Sequence, residues 1–276
     1  MHKNKNKLLI FSFIMIAAFL FTGCKSFDQI KVKIGVKNND FEYIKQGRIK
    51  KIIIQSTRDK SFRFVVTDEI AIKDLYDILS TSKEVSVAST LESDYIFEMY
   101  EGIDKVHKFN YIAGLDEKDG ANLYSTDKSY IVSKRIDNDI IQNFWNIRKP
   151  IDFKTVYYDS ITKVLAEYVK GDVKGKKIAL DISEDNGVSK FVLSTDLESF
   201  KSKLLNNYNT VLNDKKSKND VLIKVKTEGY KATIYKSSMT IKNSVNAKEK
   251  KYYVVAKYDK GLWNIETFED KKPDKF

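Results

Sequence analysis

Tyr95-Ile96-Phe97-Glu98-Met99-Tyr100 leads through Glu101-Gly102-Ile103-Asp104 into a second β-rich run, Lys105 to Ala113. Two such runs parted by a short reversal carrying a glycine read as a hairpin. The pattern continues with Asn122–Thr126 and Tyr130–Val132, parted by Thr126-Asp127-Lys128-Ser129. Strands that follow one another through short turns favour antiparallel pairing and an α+β class.

Working toward the N-terminus, Arg48 to Ser56 reads as a strand with Ile52, Ile53 and Ile54 at its centre. Arg58-Asp59-Lys60-Ser61 reads as a turn that brings Phe62–Val66 back beside it. Thr67 is the expected N-cap of a helix that has Asp68 and Glu69 in its first turn and ends near Ser80. Earlier still, Ile30, Val32, Ile34 and Val36 alternate with Lys31 and Lys33, the pattern of a half-buried strand. On the other side, Ile136, Ile140, Ile141, Phe144 and Trp145 form the apolar face of a helix running to about Arg148. Pro150 breaks that pattern and sets a boundary.

The second half repeats this content without a fixed-period repeat. An amphipathic helix carries Phe153, Val156, Tyr157, Ile161, Val164, Leu165 and Tyr168 on one stripe and is stopped by Gly171. Lys177–Ser183 and Val188–Ser194 read as a hairpin across Asp185-Asn186-Gly187. Thr195-Asp196-Leu197-Glu198 has the form of a capping box for the next helix. Strands are expected at about 220–227, 230–236, 239–246 and 250–258, with a fifth, Leu262–Phe268, after Asp259-Lys260-Gly261. No alternating βαβ unit is evident. The fold expectation is α+β: two modules, each a mainly antiparallel sheet with packed helices. Their bounds are 30–149 and 150–270, preceded by a signal segment (1–23) and a linker (24–29), and followed by a charged tail (271–276).

Cys24 is the single cysteine, so no disulfide is expected. It follows an uncharged run from Leu8 to Phe21, itself preceded by Lys3, Lys5 and Lys7. A basic start, an apolar middle and small residues before a cleavage point describe a secretory signal. The run is shorter than the about 20 residues of a membrane span. Leu20-Phe21-Thr22-Gly23-Cys24 resembles the lipobox of bacterial lipoproteins, although Leu is commoner where Phe21 stands. That resemblance implies cleavage before Cys24, a diacylglycerol on its sulfur, and an extracytoplasmic location on the cell membrane. Two acyl chains anchor stably where one does not. Lys25, Lys31 and Lys33 would then lie near anionic headgroups.

Formal net charge is +11, and the lysines are interspersed with acids, as in Lys248-Glu249-Lys250-Lys251. A solvated lysine-rich surface is the favoured reading. The sharper one is attraction to anionic lipid or wall polymer. Nucleic acid is not expected as a partner.

Residues from about 48 to 147 resemble the YhfM-like domain of bacterial lipoproteins. The resemblance rests on Ile49-Lys50-Lys51-Ile52-Ile53-Ile54, Val66-Thr67-Asp68-Glu69 and Asp94-Tyr95 opening a strand that ends Tyr100-Glu101-Gly102. Leu123-Tyr124-Ser125-Thr126-Asp127 and Tyr130-Ile131-Val132-Ser133 complete it. The strand Phe109-Asn110-Tyr111-Ile112 departs from the family's aromatic–apolar–aromatic pattern. The resemblance implies a small extracytoplasmic domain on a lipid tether and carries over no catalytic residue. Tyr252, Val254, Val255 and Gly261-Leu262-Trp263-Asn264-Ile265 resemble the closing strands of cystatin-like or nuclear-transport-factor-like folds.

Catalytic groups are scarce. His107 shares a strand face with Phe109 and Tyr111, a packing role, and no second histidine follows Cys24 to build a metal site. Gly171-Asp172-Val173-Lys174-Gly175-Lys176 is one residue short of a P-loop and leads into a strand. Asp181, Ser183 and Asp185 have calcium-loop spacing without the glycine and the closing glutamate. Asp137 with Asp139, or Asp116, Glu117 and Asp119, would serve a hydrolase only across a cleft. Tyr95, Tyr100, Tyr111, Tyr124 and Tyr130 lie at strand positions, where packing is the ordinary role. The functional expectation is therefore a non-enzymatic, lipid-anchored binding or scaffold protein of the cell envelope. It uses no cofactor and no metal, and its partners are the membrane and an envelope protein. The alternatives are a ligand-sensing lipoprotein allied to a membrane protein and a carboxylate-dependent envelope hydrolase.

Overall fold

The computed structural model describes residues 37–141, 148–170, 176–212, 219–274 and 276. The expected strand at 30–36 and the signal segment with Cys24 lie outside the described residues, as do Gly171–Gly175.

The first module is a seven-stranded antiparallel sheet. A short helix, α1 (Glu42–Lys45), precedes β1 (Ile49–Ser56) and β2 (Arg63–Val66), and α2 (Glu69–Leu79) follows. Then come β3 (Lys83–Val85), β4 (Tyr95–Glu101), β5 (Lys105–Tyr111), β6 (Leu123–Tyr124) and β7 (Ser129–Ile131). The strand order is β2-β1-β4-β5-β6-β7-β3. The β4–β5 hairpin pairs Phe97 with Phe109 and Glu101 with Lys105 across the predicted reversal. Tyr95, Phe97 and Met99 alternate into the core, where they meet Ile52 and Ile54 of β1 and Leu75, Ile78 and Leu79 of α2. Gly47, at φ +68°, supplies the left-handed residue that turns the chain from α1 into β1.

The second module is six-stranded. Its elements are α3 (Phe153–Tyr168), β8 (Ile178–Asp181), α4 (Ser194–Tyr208), β9 (Thr210–Leu212), β10 (Val221–Lys231), β11 (Ile234–Asn243), β12 (Lys248–Asp259) and β13 (Leu262–Glu269). The strand order is β13-β12-β11-β10-β8-β9. The last four strands form an antiparallel meander, while β8 runs parallel to both β10 and β9. One core joins α3 (Val156, Tyr157, Ile161, Val164, Leu165) to the inward residues of β10, β11 and β12.

Six local expectations need correction. The hairpin across Asp185-Asn186-Gly187 does not form. The turn is there, but Val188, Phe191 and Val192 are buried around a 3-10 turn, Ser189–Phe191, instead of pairing with β8. β8 instead lies between β10 and β9, parallel to both, and β9 is reached through α4, so a βαβ unit is present where none was expected. The strand expected at 230–236 straddles the real reversal at Ala232-Thr233, and Gly229 marks a bulge within β10. The N-cap of α2 is Asp68, whose carboxylate accepts from Ala71 N, rather than Thr67. The capping box at Thr195 is likewise absent, because the N-cap of α4 is Leu193, two residues earlier, which puts Thr195 inside the first turn. The helix expected up to Arg148 begins as a π-helical turn, Ile136–Ile141, and its continuation through 147 lies outside the described residues.

Candidate inter-module site

The two modules meet where α4 begins. Ser194 N, a first-turn donor with no acceptor inside its own helix, bonds Asp94 Oδ1 at 2.8 Å. Asp94 belongs to the other module, immediately before β4. Its Oδ2 accepts from Ala113 N at 2.9 Å, and its Oδ1 also accepts from Arg58 Nη1 at 2.6 Å. Arg58 is held in the β1–β2 turn, where Ser56 Oγ accepts from Arg58 N and Asp59 N. Its second nitrogen, Nη2, donates to Ser194 Oγ at 2.6 Å, and that hydroxyl donates to Glu92 O at 2.6 Å. Thr195 Oγ1 donates to Ala113 O, and Leu193 packs against the first core.

Asp94 is 2% exposed, and each of its oxygens is matched to a donor. Burial pushes its carboxyl above the ordinary value, against the Arg58 charge and the two backbone donors. A carboxylate at a helix N-terminus also complements the helix dipole. This one side chain therefore serves three tasks: it closes β4 onto Ala113, neutralises Arg58 and starts a helix of the neighbouring module.

Beside this junction opens a cleft of about 520 Å³. Arg58 and Glu92 of the first module form one rim. The carboxyl ends of the parallel strands β8 and β9 (Asp181 and Leu212) face it, with Val192 and Leu197 adding apolar wall. The carboxyl ends of parallel strands are where open α/β sheets receive ligands. The volume suits a small molecule.

Asp185 lines the cleft and is 3% exposed. Its Oδ1 accepts from Thr227 N at 2.9 Å, and its Oδ2 from Thr227 Oγ1 at 2.8 Å and Tyr157 OH at 3.2 Å. Burial raises its carboxyl above the ordinary value, opposed by those three bonds. Asp181 Oδ1 accepts from Ser183 N and Ser183 Oγ. Both carboxylates are thus engaged in shaping the loop after β8.

The residues weighed in the sequence are scattered. His107 stacks on Tyr43 with ring centroids 3.9 Å apart, and its Nε2 lies 2.7 Å from Glu101 Oε2. Asp137 accepts from Tyr111 OH and Gly114 N, while Asp139 pairs with Arg135, so the two acids serve different contacts. Asp116 caps the 3-10 turn Glu117–Asp119. Tyr95, Tyr111 and Tyr130 are core residues, and Tyr100 lies under the Lys51 ammonium. Among the described residues, no group of three or more His, Cys, Asp or Glu is placed to hold a metal ion. No described helix is long and apolar enough to cross a membrane. Arg58, Asp94 and Ser194 were absent from the sequence-derived candidates. Their only local signal was a charged residue, Asp94, directly before an apolar strand.

Residues 45–150 match the family model described as YhfM protein, so the first module is YhfM-like. No curated protein and no solved structure matches the chain.

Proposed function

We propose that this chain, with its YhfM-like domain, is a lipid-anchored extracytoplasmic binding protein of the cell envelope, tethered through Cys24 and non-enzymatic. Its binding site in this reading is the inter-module cleft. The observation that carries the binding role is the state of the cleft's two aspartates: Asp185 accepts three hydrogen bonds and Asp181 two from the protein itself. Carboxylates so engaged hold a shape, whereas a general acid or base needs a face open to substrate. The apolar wall of Val192, Leu197 and Leu212, edged by charged groups, fits recognition of an amphiphilic envelope fragment or a partner segment.

The anchor is tested by substituting Cys24→Ala and following partition between membrane and aqueous fractions. Membrane recovery before and aqueous recovery after the substitution supports it; unchanged partition removes it. The cleft is tested by Leu197→Trp, which fills the apolar wall. Crosslinking in intact cells should lose its envelope partner in that variant while the fold's melting temperature holds. Retention of the same crosslinks removes the cleft from the proposal.

A further inference from the structure

Away from the cleft, α1 and α2 flank a recess of about 440 Å³. Its floor is apolar, made by Ile44, Ile49 and Ile72, all buried. Its rim carries four lysines, Lys37, Lys45, Lys50 and Lys73, against two acids, Glu69 and Asp77. Two of these ammonium groups address one aromatic ring: Lys37 Nζ lies 5.4 Å and Lys45 Nζ 5.9 Å from the centroid of Tyr76. The Tyr76 hydroxyl is fixed by donation to Glu42 Oε1 at 2.9 Å, so the ring is held in place between α1 and α2. Lys50 stands 3.9 Å from Glu69, but both are highly exposed, and such a pair is weak. With Glu42 on Tyr76 counted beside Glu69 and Asp77, the four lysines still outnumber the acids, which leaves a small net positive field at the rim.

The position of the recess matters as much as its charge. Lys37 is only thirteen positions after Cys24. Fully extended, that length spans on the order of 45 Å, which bounds how far the recess can stand from a bilayer holding Cys24. The intervening stretch adds Lys25, Lys31 and Lys33. Beside Glu69 of the rim, Ile70 is 71% exposed in the first turn of α2, an apolar side chain open to its surroundings.

We infer that this recess is a headgroup site for an anionic phospholipid of the bilayer that bears the chain. The lysines take the phosphodiester oxygens and the isoleucine floor meets the glycerol carbons. The inference rests on the anchoring reading above. A compact recess with an apolar floor suits one headgroup better than an extended wall polymer, which needs a long charged track. Lysine serves here as a point charge toward phosphate.

The test uses the full chain mixed with vesicles of phosphatidylglycerol and phosphatidylcholine, or of phosphatidylcholine alone. A water-soluble amine-acylating reagent is added and each lysine is read by peptide mass. Association with phosphatidylcholine alone reads the anchor; the difference between vesicles reads the recess. Lys45, Lys50 and Lys73 should be acylated about fivefold more slowly in the phosphatidylglycerol vesicles, the factor that corresponds to one lysine near an anionic surface. Lys224 and Lys242 of the second module should not change. In a Lys45→Glu/Lys73→Glu variant with unaltered melting temperature, protection of Lys50 should vanish. Equal rates in both vesicles, equal protection of Lys224 and Lys242, or protection only by a soluble poly(glycerol phosphate) would each overturn the assignment. No association with phosphatidylcholine alone, with the lysine pattern retained on the phosphatidylglycerol vesicles, would count against Cys24 anchoring and leave the recess standing.

Discussion

Substituting Asp94→Asn isolates the contact that joins the modules. The amide keeps one acceptor, so of the three donors now met, Arg58 Nη1 and Ser194 N at Oδ1 and Ala113 N at Oδ2, at least one backbone N–H must face an NH₂ group. Leaving a buried donor unsatisfied costs about 1–3 kcal/mol. Arg58, 17% exposed, also loses its counter-charge, and breaking a buried ion pair costs about 3–5 kcal/mol. Two effects pull the sum down. Glu92 Oε2 lies 3.5 Å from Arg58 and supplies partial compensation, and the neutral amide escapes the burial penalty that raises the Asp94 carboxyl. The balance is a loss of about 3 kcal/mol, toward the low end for a broken buried pair. In a chain of this size that corresponds to a fall of roughly 6–12 °C in melting temperature. Denaturant unfolding measures the loss. Amide exchange locates it, because Ser194 N–H and Ala113 N–H should lose protection while Ile54 and Val254 keep theirs. A change within about 0.5 kcal/mol, the range of ordinary surface substitutions, would refute the reasoning.

Three further outcomes follow from the same structure. Asp185→Asn tests the buried carboxyl. Because its folded value is raised, the folded form holds a proton that the unfolded chain has lost above about pH 3.9, so this group's contribution is full below that pH and declines as pH rises through the folded value. The melting temperature of the variant relative to the parent should therefore climb as pH rises above about 4, and a fall would contradict it. Leu165→Ala, at a fully buried position on α3, should cost about 2–5 kcal/mol by denaturant titration; a loss under 1 kcal/mol would mean that α3 does not seal the second core. Gly47→Ala meets no atom within 4 Å, so only the left-handed φ opposes it, and thermal unfolding should show about 1 kcal/mol lost; a neutral result would mean that the α1–β1 turn relaxes.

What could be read along the chain was whatever local chemistry decides. The β4–β5 hairpin, α2 and α3 announce themselves by alternation, helical spacing and turn residues, and they form where expected. The errors have a common cause. Asp185-Asn186-Gly187 carries a true turn signal, but whether the chain then pairs back depends on what Asp185 must reach, and its partner Thr227 lies far along the sequence. Gly229 drew the expected reversal toward itself, although it serves a bulge, while the actual turn at Ala232-Thr233 has none of the usual turn residues. The parallel placement of β8 beside β9 and β10 is a matter of crossover, which no local pattern encodes. The junction was illegible for the same reason: Arg58, Asp94 and Ser194 are ordinary residues until the fold brings them together.

The intact mass of the N-terminal peptide of the protein recovered from cell membranes tests the central claim most directly. A peptide that begins at Cys24 and carries the added mass of a diacylglycerol is the predicted result. A peptide that begins elsewhere, or a Cys24 with a free thiol, would contradict it.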